Sequence, residues 1–438
     1  MIEVEAAPLS ALVIHPVHSG GGGGTVSLLD LEEAVSLTQA LGVTVKASEI
    51  VTVREIKAGN YLGSGKTDDM AALIKEHDIG LVIVNTSLAP IQQRNLEDLW
   101  GAKVIDRTGL ILEIFSLRAA TKEGRLQVEL ARLAYERSRL VRTWTHLERQ
   151  RGGQGFLAGP GETQIESDRR MLADKISKLK RDLDQVRRTR ALQRNKRKRA
   201  PERVVALVGY TNAGKSTLFN ALTGSNIFVK DMLFATLDTT HRVLELPSGQ
   251  KAVLSDTVGF ISDLPTDLVD AFRATLEEVK EADLLIHVRD ISDPLSEARK
   301  QNVLDILASI EAGPKFDQDL IEVWNKTDLL PDDDAHDSLR AGRSADNELG
   351  QCAAYALSCI TGKGLEELRE GIEAHLSAND HIVNVTIGPK DFAVRAWLFE
   401  HGDVIEETIT DKGEYAMEVR LSQIDLGILR ARHQQIFL

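Results

Sequence analysis

The stretch GYTNAGKST, residues 209 to 217, caps the apolar run RVVALVG. An apolar strand followed by a glycine-bounded loop that ends in Gly-Lys-Ser at the head of a helix is the signature of a phosphate loop. Gly209 and Gly214 let backbone N–H groups converge on phosphate oxygens, Lys215 can reach the β and γ oxygens, and the Ser216 hydroxyl suits Mg²⁺. Gly209, Tyr210, Thr211, Asn212, Ala213, Gly214, Lys215, Ser216 and Thr217 are therefore candidate nucleotide-binding residues. Such a loop forms at the carboxyl end of a strand in an α/β sheet, so it constrains everything around it.

Three shorter motifs follow in order. DTVG supplies Asp256, Thr257, Val258 and Gly259 after the strand-like KAVLS. Its aspartate can hold the magnesium shell through water, and the Gly259 amide can sense a γ-phosphate. NKTD supplies Asn325, Lys326, Thr327 and Asp328. A carboxylate at Asp328 matches the N1–H and N2 donors of guanine, and adenine offers no such pair, so the nucleotide is expected to be GTP. Ser358, Cys359 and Ile360, in SCITGKG, can close the base pocket with backbone amides.

The apolar runs KAVLSD, DLLIHVRD, DLIEVWNKTD and AYALSC alternate with helical segments, the rhythm of a doubly wound sheet over residues 201–378. Upstream, residues 1–120 read as a smaller α/β domain: ALVIHPV and GLVIVNT as buried strands, LLDLEEAVSLTQALG and DDMAALIKEHD as helices, KVIDRTGL as a closing strand. Gly63 to Lys66, in NYLGSGKTDD, lacks full phosphate-loop spacing and reads as a flexible connector. Residues 379–438 read strand, helix, strand, strand, a small α+β lobe. The fold class is thus α/β, with lengths in keeping with roughly 100 to 200 residues per domain.

Between these parts, residues 121–200 carry two apolar stripes of alternating three and four spacing. The first runs through Leu126, Leu130, Leu133, Leu140, Trp144 and Leu147, with Arg137 in the one slot that is not apolar, the second through Leu172, Ile176, Leu179, Leu183 and Val186. Two such stripes around a loop that cannot stay helical predict a long antiparallel helical hairpin, with helices of about 27 and 35 residues. The loop, from residue 151, holds five glycines in eleven positions. Arg149, Arg151, Arg169 and Arg170 bracket it, and Phe156 and Leu157 lie inside it. It lacks the lysine and hydroxyl of a phosphate loop and is longer than a turn needs, so it reads as a probe into RNA, with the bare turn as the plain alternative.

Net charge is −13, which by itself argues against nucleic acid. Yet residues 175 to 199 contain twelve Lys or Arg against two Asp. An acidic body with one basic arm repels RNA except along that arm, so Arg187, Arg188, Arg190, Arg194, Lys196, Arg197, Lys198 and Arg199 join Arg151, Phe156, Leu157, Arg169 and Arg170 as candidate RNA contacts. Two cysteines without metal-ligand spacing, no long apolar span and an acidic start suggest a reduced, soluble, cytoplasmic protein.

LFATLDTTHR (233–242), GFLAGPGETQIESDRR (155–170) and TKEGRLQVELA (121–131) give a closer match. With the guanine motifs, over roughly residues 8 to 375, the chain resembles the HflX family of ribosome-associated GTPases, in the TrmE-Era-Obg-HflX class of P-loop GTPases. The resemblance implies that Thr236 is the switch threonine that ligates Mg²⁺ alongside Ser216, within a mobile loop Phe234, Ala235, Thr236, Leu237, Asp238. Two departures stand out: LDTT where the family has proline after the aspartate, and SCI in place of SAL. Thr239 and Thr240 thus stay open as magnesium ligands. The resemblance further implies docking on the large (50S) ribosomal subunit and its rRNA, release on hydrolysis, and a part in splitting or rescuing stalled ribosomes.

Phe260 stands where Ras-like enzymes place a water-orienting glutamine, so intrinsic hydrolysis is expected to be slow, with help from a partner or from another side chain of the domain. No catalytic side chain is assigned. Asn212 raises the use of K⁺ as a charge-stabilising ion. A monomeric GTP-switched ribosome factor is the leading reading, and a GTP-regulated protein-interaction switch without RNA contact is the alternative. A GTP-powered RNA-modifying enzyme finds no nucleophile, metal cluster or acid-base pair outside the nucleotide motifs.

Overall fold

The computed structural model describes residues 9–18, 24–150, 160–197, 203–225, 234, 239–262, 273–331, 353–378, 380–388, 391–410 and 413–432. Two compact units emerge: one joins Met1–Val186 with Val229–Asp238 and Val258–Ala274, the other holds the remainder.

The first unit is built on β1 (Ser10–His18), α1 (Gly24–Gln39), β2 (Thr44–Val53), α2 (Ser64–Glu76), β3 (Leu81–Val84), α3 (Pro90–Trp100), β4 (Lys103–Asp106) and α4 (Arg107–Arg118). Its four strands are parallel in the order β2-β1-β3-β4. Central strand β3 and the Ala11–Ile14 stretch of β1 are continuous apolar runs because helices cover both faces, and Leu12, Ile14, Val82 and Val84 are fully buried. Edge strand β2 sets exposed residues against half-buried and buried ones, Val51 and Val53 among the buried, and has no continuous apolar run like that of β3.

Two local expectations change. KVIDRTGL is not one strand: β4 stops at Asp106, whose carboxylate accepts the Gly109 N–H at 2.8 Å and so starts α4 as its N-cap. Gly63 is not part of a connector but the N-cap of α2, with Ser64 to Lys66 in the helix's first turn. Helix α3 also went unread, although Pro90 at its start and left-handed Gly101 at its end mark it.

Helices α5 (Lys122–Gln150) and α6 (Pro160–Arg197) follow, 29 and 38 residues long. Leu133, Ile176 and Leu179 form a shared apolar cluster, joined by Leu126, Leu130 and Leu172, so the two stripes meet over this part of their length; the side chains of Leu140, Trp144 and Leu147 lie outside the described residues.

The second unit carries β5 (Arg203–Gly209), α7 (Lys215–Thr223), β6 (Thr240–Glu245), β7 (Lys251–Asp256), α8 (Arg273–Lys280), β8 (Leu284–Asp290), α9 (Ser296–Ser309), β9 (Leu320–Asn325), β10 (Ala354–Ala356) and α10 (Leu365–Ser377). The sheet order is β10-β9-β8-β5-β7-β6, parallel except for the β6–β7 pair. It closes with β11 (Asp380–Ile387), α11 (Phe392–His401), β12 (Asp403–Ile409), β13 (Tyr415–Ser422) and α12 (Gln423–Arg432), the last helix unforeseen. Those three strands form an antiparallel sheet with its own core around Val385, Leu398, Val419 and Leu429.

Candidate functional site

The strands β5, β7, β8 and β9 end at Gly209, Asp256, Asp290 and Asn325, which gathers the sequence motifs at the carboxyl edge of one sheet. Gly209 sits at φ 152°, and a Cβ there would lie 2.3 Å from the Val288 carbonyl oxygen of the neighbouring strand. Gly214 at φ 96° is equally constrained, since its Cβ would fall 2.1 Å from Asn325 Nδ2. Both glycines are required by backbone shape and by space. Asn212 is exposed and left-handed, with φ 59°.

Lys215 is buried and donates from Nζ to the carbonyls of Gly209 at 3.0 Å and Tyr210 at 2.8 Å. Burial lowers its pKa to about 8 against the opposing pull of Asp256. A cation so desolvated and hydrogen-bonded to carbonyl oxygens fits a phosphate group better than these partners. The Ser216 hydroxyl donates to Asp256 Oδ2 at 2.7 Å. Hydroxyl and carboxylate oxygens side by side are the donor set of a hard divalent cation such as Mg²⁺. Thr257 fastens this corner, its Oγ1 donating to the Leu207 carbonyl at 2.6 Å.

On the base side, Asn325 ties two loops together. Its Nδ2 donates to the Ala213 carbonyl at 2.9 Å, and its Oδ1 accepts the Cys359 N–H at 3.3 Å. Lys326 is left-handed at φ 67° and pairs with Asp290 at 2.7 Å. Thr327 is buried and Asp328 exposed. Ser358 Oγ accepts the Thr361 N–H at 3.2 Å, which shapes the SCI loop, and Ile360 projects into solvent. Burial, then the nearby Asp328 charge, pushes the Cys359 thiol up to about 12, so it stays protonated.

In the first unit Val258, Gly259 and Phe260 are buried, as is Phe234, at φ 56°. Ala235, Thr236, Leu237 and Asp238 lie outside the described residues. Thr240 opens β6, paired in register with Asp256. Arg107 donates to Asn85 Oδ1 at 2.7 Å, Glu33 at 2.7 Å and Ser262 Oγ at 3.1 Å. Neither Arg107 nor Asp290 stood out in the sequence. Each acts through a partner distant along the chain, and no local spacing encodes that.

Of the basic candidates, Arg169, Arg170 and Arg188 are exposed on α6. Arg187, Arg190, Arg194, Lys196 and Arg197 also lie on that helix. Arg151, Phe156, Leu157, Lys198 and Arg199 lie outside the described residues.

Four family descriptions cover the chain: GTP-binding GTPase N-terminal over residues 29–116, GTP-binding GTPase Middle Region over 118–197, 50S ribosome-binding GTPase over 204–326, and HflX C-terminal domain over 346–433. The GTPase HflX of Magnetococcus marinus is 46% identical over 392 residues, 89% of this chain and 88% of the relative. The chain belongs to the HflX family. It is a GTPase that binds guanine nucleotides. The Escherichia coli GTPase HflX is 40% identical over 90% of each chain. Among solved structures, the crystal structure of the SsGBP and GDP complex matches 83% of this chain and 97% of its own, at 26% identity and a TM-score of 0.49. Among the described residues of this HflX-family chain, no helix is long and apolar enough to cross a membrane.

Proposed function

We propose that this GTPase is a cytoplasmic, monomeric factor that binds the large ribosomal subunit and its rRNA in the GTP state, is released after hydrolysis, and acts in splitting or rescue of stalled ribosomes. The observation that carries the reading is the position of the positive charge. In a chain of net charge −13, the basic run 187–199 begins within α6, which ends at Arg197, six residues before the strand that carries the phosphate loop begins at Arg203. Such an arm gives sequence-independent phosphate contacts next to a nucleotide switch.

Within the site, residues 209–217 take the phosphates, and Asp328 with Ser358, Cys359 and Ile360 takes guanine. Ser216 and Thr236 would hold Mg²⁺, which would supply charge neutralisation for the phosphates. The exposed, left-handed Asn212 is suited to a K⁺ beside the phosphates. Phe260 offers no hydrogen bond to water, so the group that completes catalysis is supplied by the ribosome. Residues 1–120, 121–200, 201–378 and 379–438 serve as four domains, with the tip at Arg151, Phe156 and Leu157 inserted into RNA.

Sedimentation with purified 50S subunits tests the reading. Co-sedimentation is expected with a non-hydrolysable GTP analogue and not with GDP. Alanine at Arg187, Arg188, Arg190 and Arg194 is expected to weaken binding and flatten its salt dependence while intrinsic hydrolysis holds. A parental salt slope in that variant removes the basic arm from the interface. Protein capture without rRNA would favour a protein-interaction switch instead.

A further inference from the structure

The phosphate loop is also gripped from outside, by residues that no nucleotide motif includes. The Tyr210 ring is buried, and the Arg299 guanidinium lies over it with Cζ 4.6 Å from the ring centroid. Arg299 comes from the first turn of α9, and Asp293 fixes it. One carboxylate oxygen of Asp293 pairs with the guanidinium, and the other accepts the Leu295 N–H at 2.9 Å. The Asp293 side chain is itself only 8% exposed, so the pair is partly desolvated.

Beside this contact lies a small, open pocket lined by Tyr210, Thr211, His287, Arg289, Arg299 and Lys300 among others. Thr211 Oγ1, His287 Nδ1 and Arg289 Nε have no protein hydrogen-bond partner, although each residue is more than nine-tenths buried. A polar lining with unpartnered atoms costs free energy and does not lock a loop as interdigitated apolar side chains do. A cation held over a desolvated ring face is at the strong end of its class. The grip on the middle of the loop therefore comes at Tyr210, from Arg299.

We propose that Arg299 is a positioning residue for guanine nucleotide: held by Asp293, it clamps Tyr210, keeps the phosphate loop in its receiving shape and so slows nucleotide release. The proposal rests on residues 209–217 being the phosphate loop of the nucleotide site.

Stopped-flow kinetics of fluorescently labelled GDP on the full chain tests it. Arg299→Ala is expected to release GDP about tenfold faster, with association changed by less than about twofold. Arg299→Lys keeps a cation within reach of Asp293 and is expected to restore most of the parental rate. Tyr210→Leu is expected to match Arg299→Ala, and the double variant to go no further. Should Arg299→Ala fail to fold, the comparison of Arg299→Lys, slow, with Tyr210→Leu, fast, carries the same information. Parental release from Arg299→Ala or Tyr210→Leu, or equal acceleration by Arg299→Ala and Arg299→Lys, overturns the clamp. If the parent chain itself fails to bind GDP, it is the phosphate-loop reading that falls.

Discussion

The Phe115 ring, in the last turn of α4, meets the Phe234 ring edge-on, with centroids 4.7 Å apart and planes at 85°. Both rings are at least 97% buried, so a residue of the proposed switch loop is packed as core. Either Phe→Ala change is expected to cost about 3–5 kcal/mol. The double variant is expected to fall short of the sum by at least about 0.5–1.5 kcal/mol, the edge-to-face share. Chemical denaturation of the four proteins checks this, and simple additivity would remove the coupling. Phe115→Ala is also expected to alter the GTP hydrolysis rate, since it frees Phe234.

Asp106 is fully buried and accepts from Leu88 N at 3.2 Å, Gly109 N at 2.8 Å, Tyr135 Oη at 2.6 Å and Arg139 at 2.5 Å. It joins the start of α4 to α5. Asp106→Ala leaves the Arg139 charge without its counter-ion and is expected to destabilise the first unit by about 3–5 kcal/mol. Tyr135→Phe removes one charge-assisted bond, about 1.5–3 kcal/mol. Burial, then the Asp106 charge, raises the Tyr135 pKa, so the smaller effect is expected to be the same at pH 7 and pH 9.

His287 predicts acid sensitivity. Burial pushes its pKa down to about 3, with Glu322 pulling the other way. Below the unfolded value of about 6.5 the unfolded chain takes up a proton that the native site refuses. Stability is therefore whole above that pH and falls as pH drops toward 3, by up to about 1.4 kcal/mol per unit. For Glu322, burial raises the pKa, but Lys300, Trp324 and Arg289 outweigh it and bring it to about 2, which adds acid loss from about 4.5 downward. Urea midpoints between pH 7.5 and 4.5 are expected to fall in the parent and to fall less in His287→Gln. Parallel curves would clear His287 of the effect.

Gly371 lies within α10, where alanine would gain about 1 kcal/mol of helix propensity. A Cβ there would sit 2.1 Å from the Tyr355 hydroxyl oxygen and 2.2 Å from its Cζ. The rigid ring has to shift, so Gly371→Ala is expected to lower the melting temperature despite the better helix former. A raised melting temperature would show that Tyr355 yields freely.

Legibility followed the range of the interaction. GYTNAGKST, DTVG and NKTD could be read because backbone geometry and phosphate or base chemistry demand particular residues at fixed short spacing. The stripes of α5 and α6 could be read because helical period survives any tertiary setting. Strand β2 could not, since one neighbour and a solvated face intersperse its apolar residues with Lys46, Ser48, Glu49 and Thr52 and leave no long apolar run. KVIDRTGL misled because Asp106, as a cap, ends a strand and begins a helix within one residue.

The sequence by itself determined the class: a guanine-nucleotide sheet, a helical pair with a basic end, and small α/β and α+β parts around them. Tertiary structure alone decided what holds those parts in working shape. Arg299 reaches Tyr210 across 89 positions, Asn325 reaches Ala213 across 112, and Arg107 reaches Ser262 across 155. Local propensity and periodicity act over a few residues. A cation over a ring or a buried amide between two loops has no spacing of its own until the fold brings its partners together.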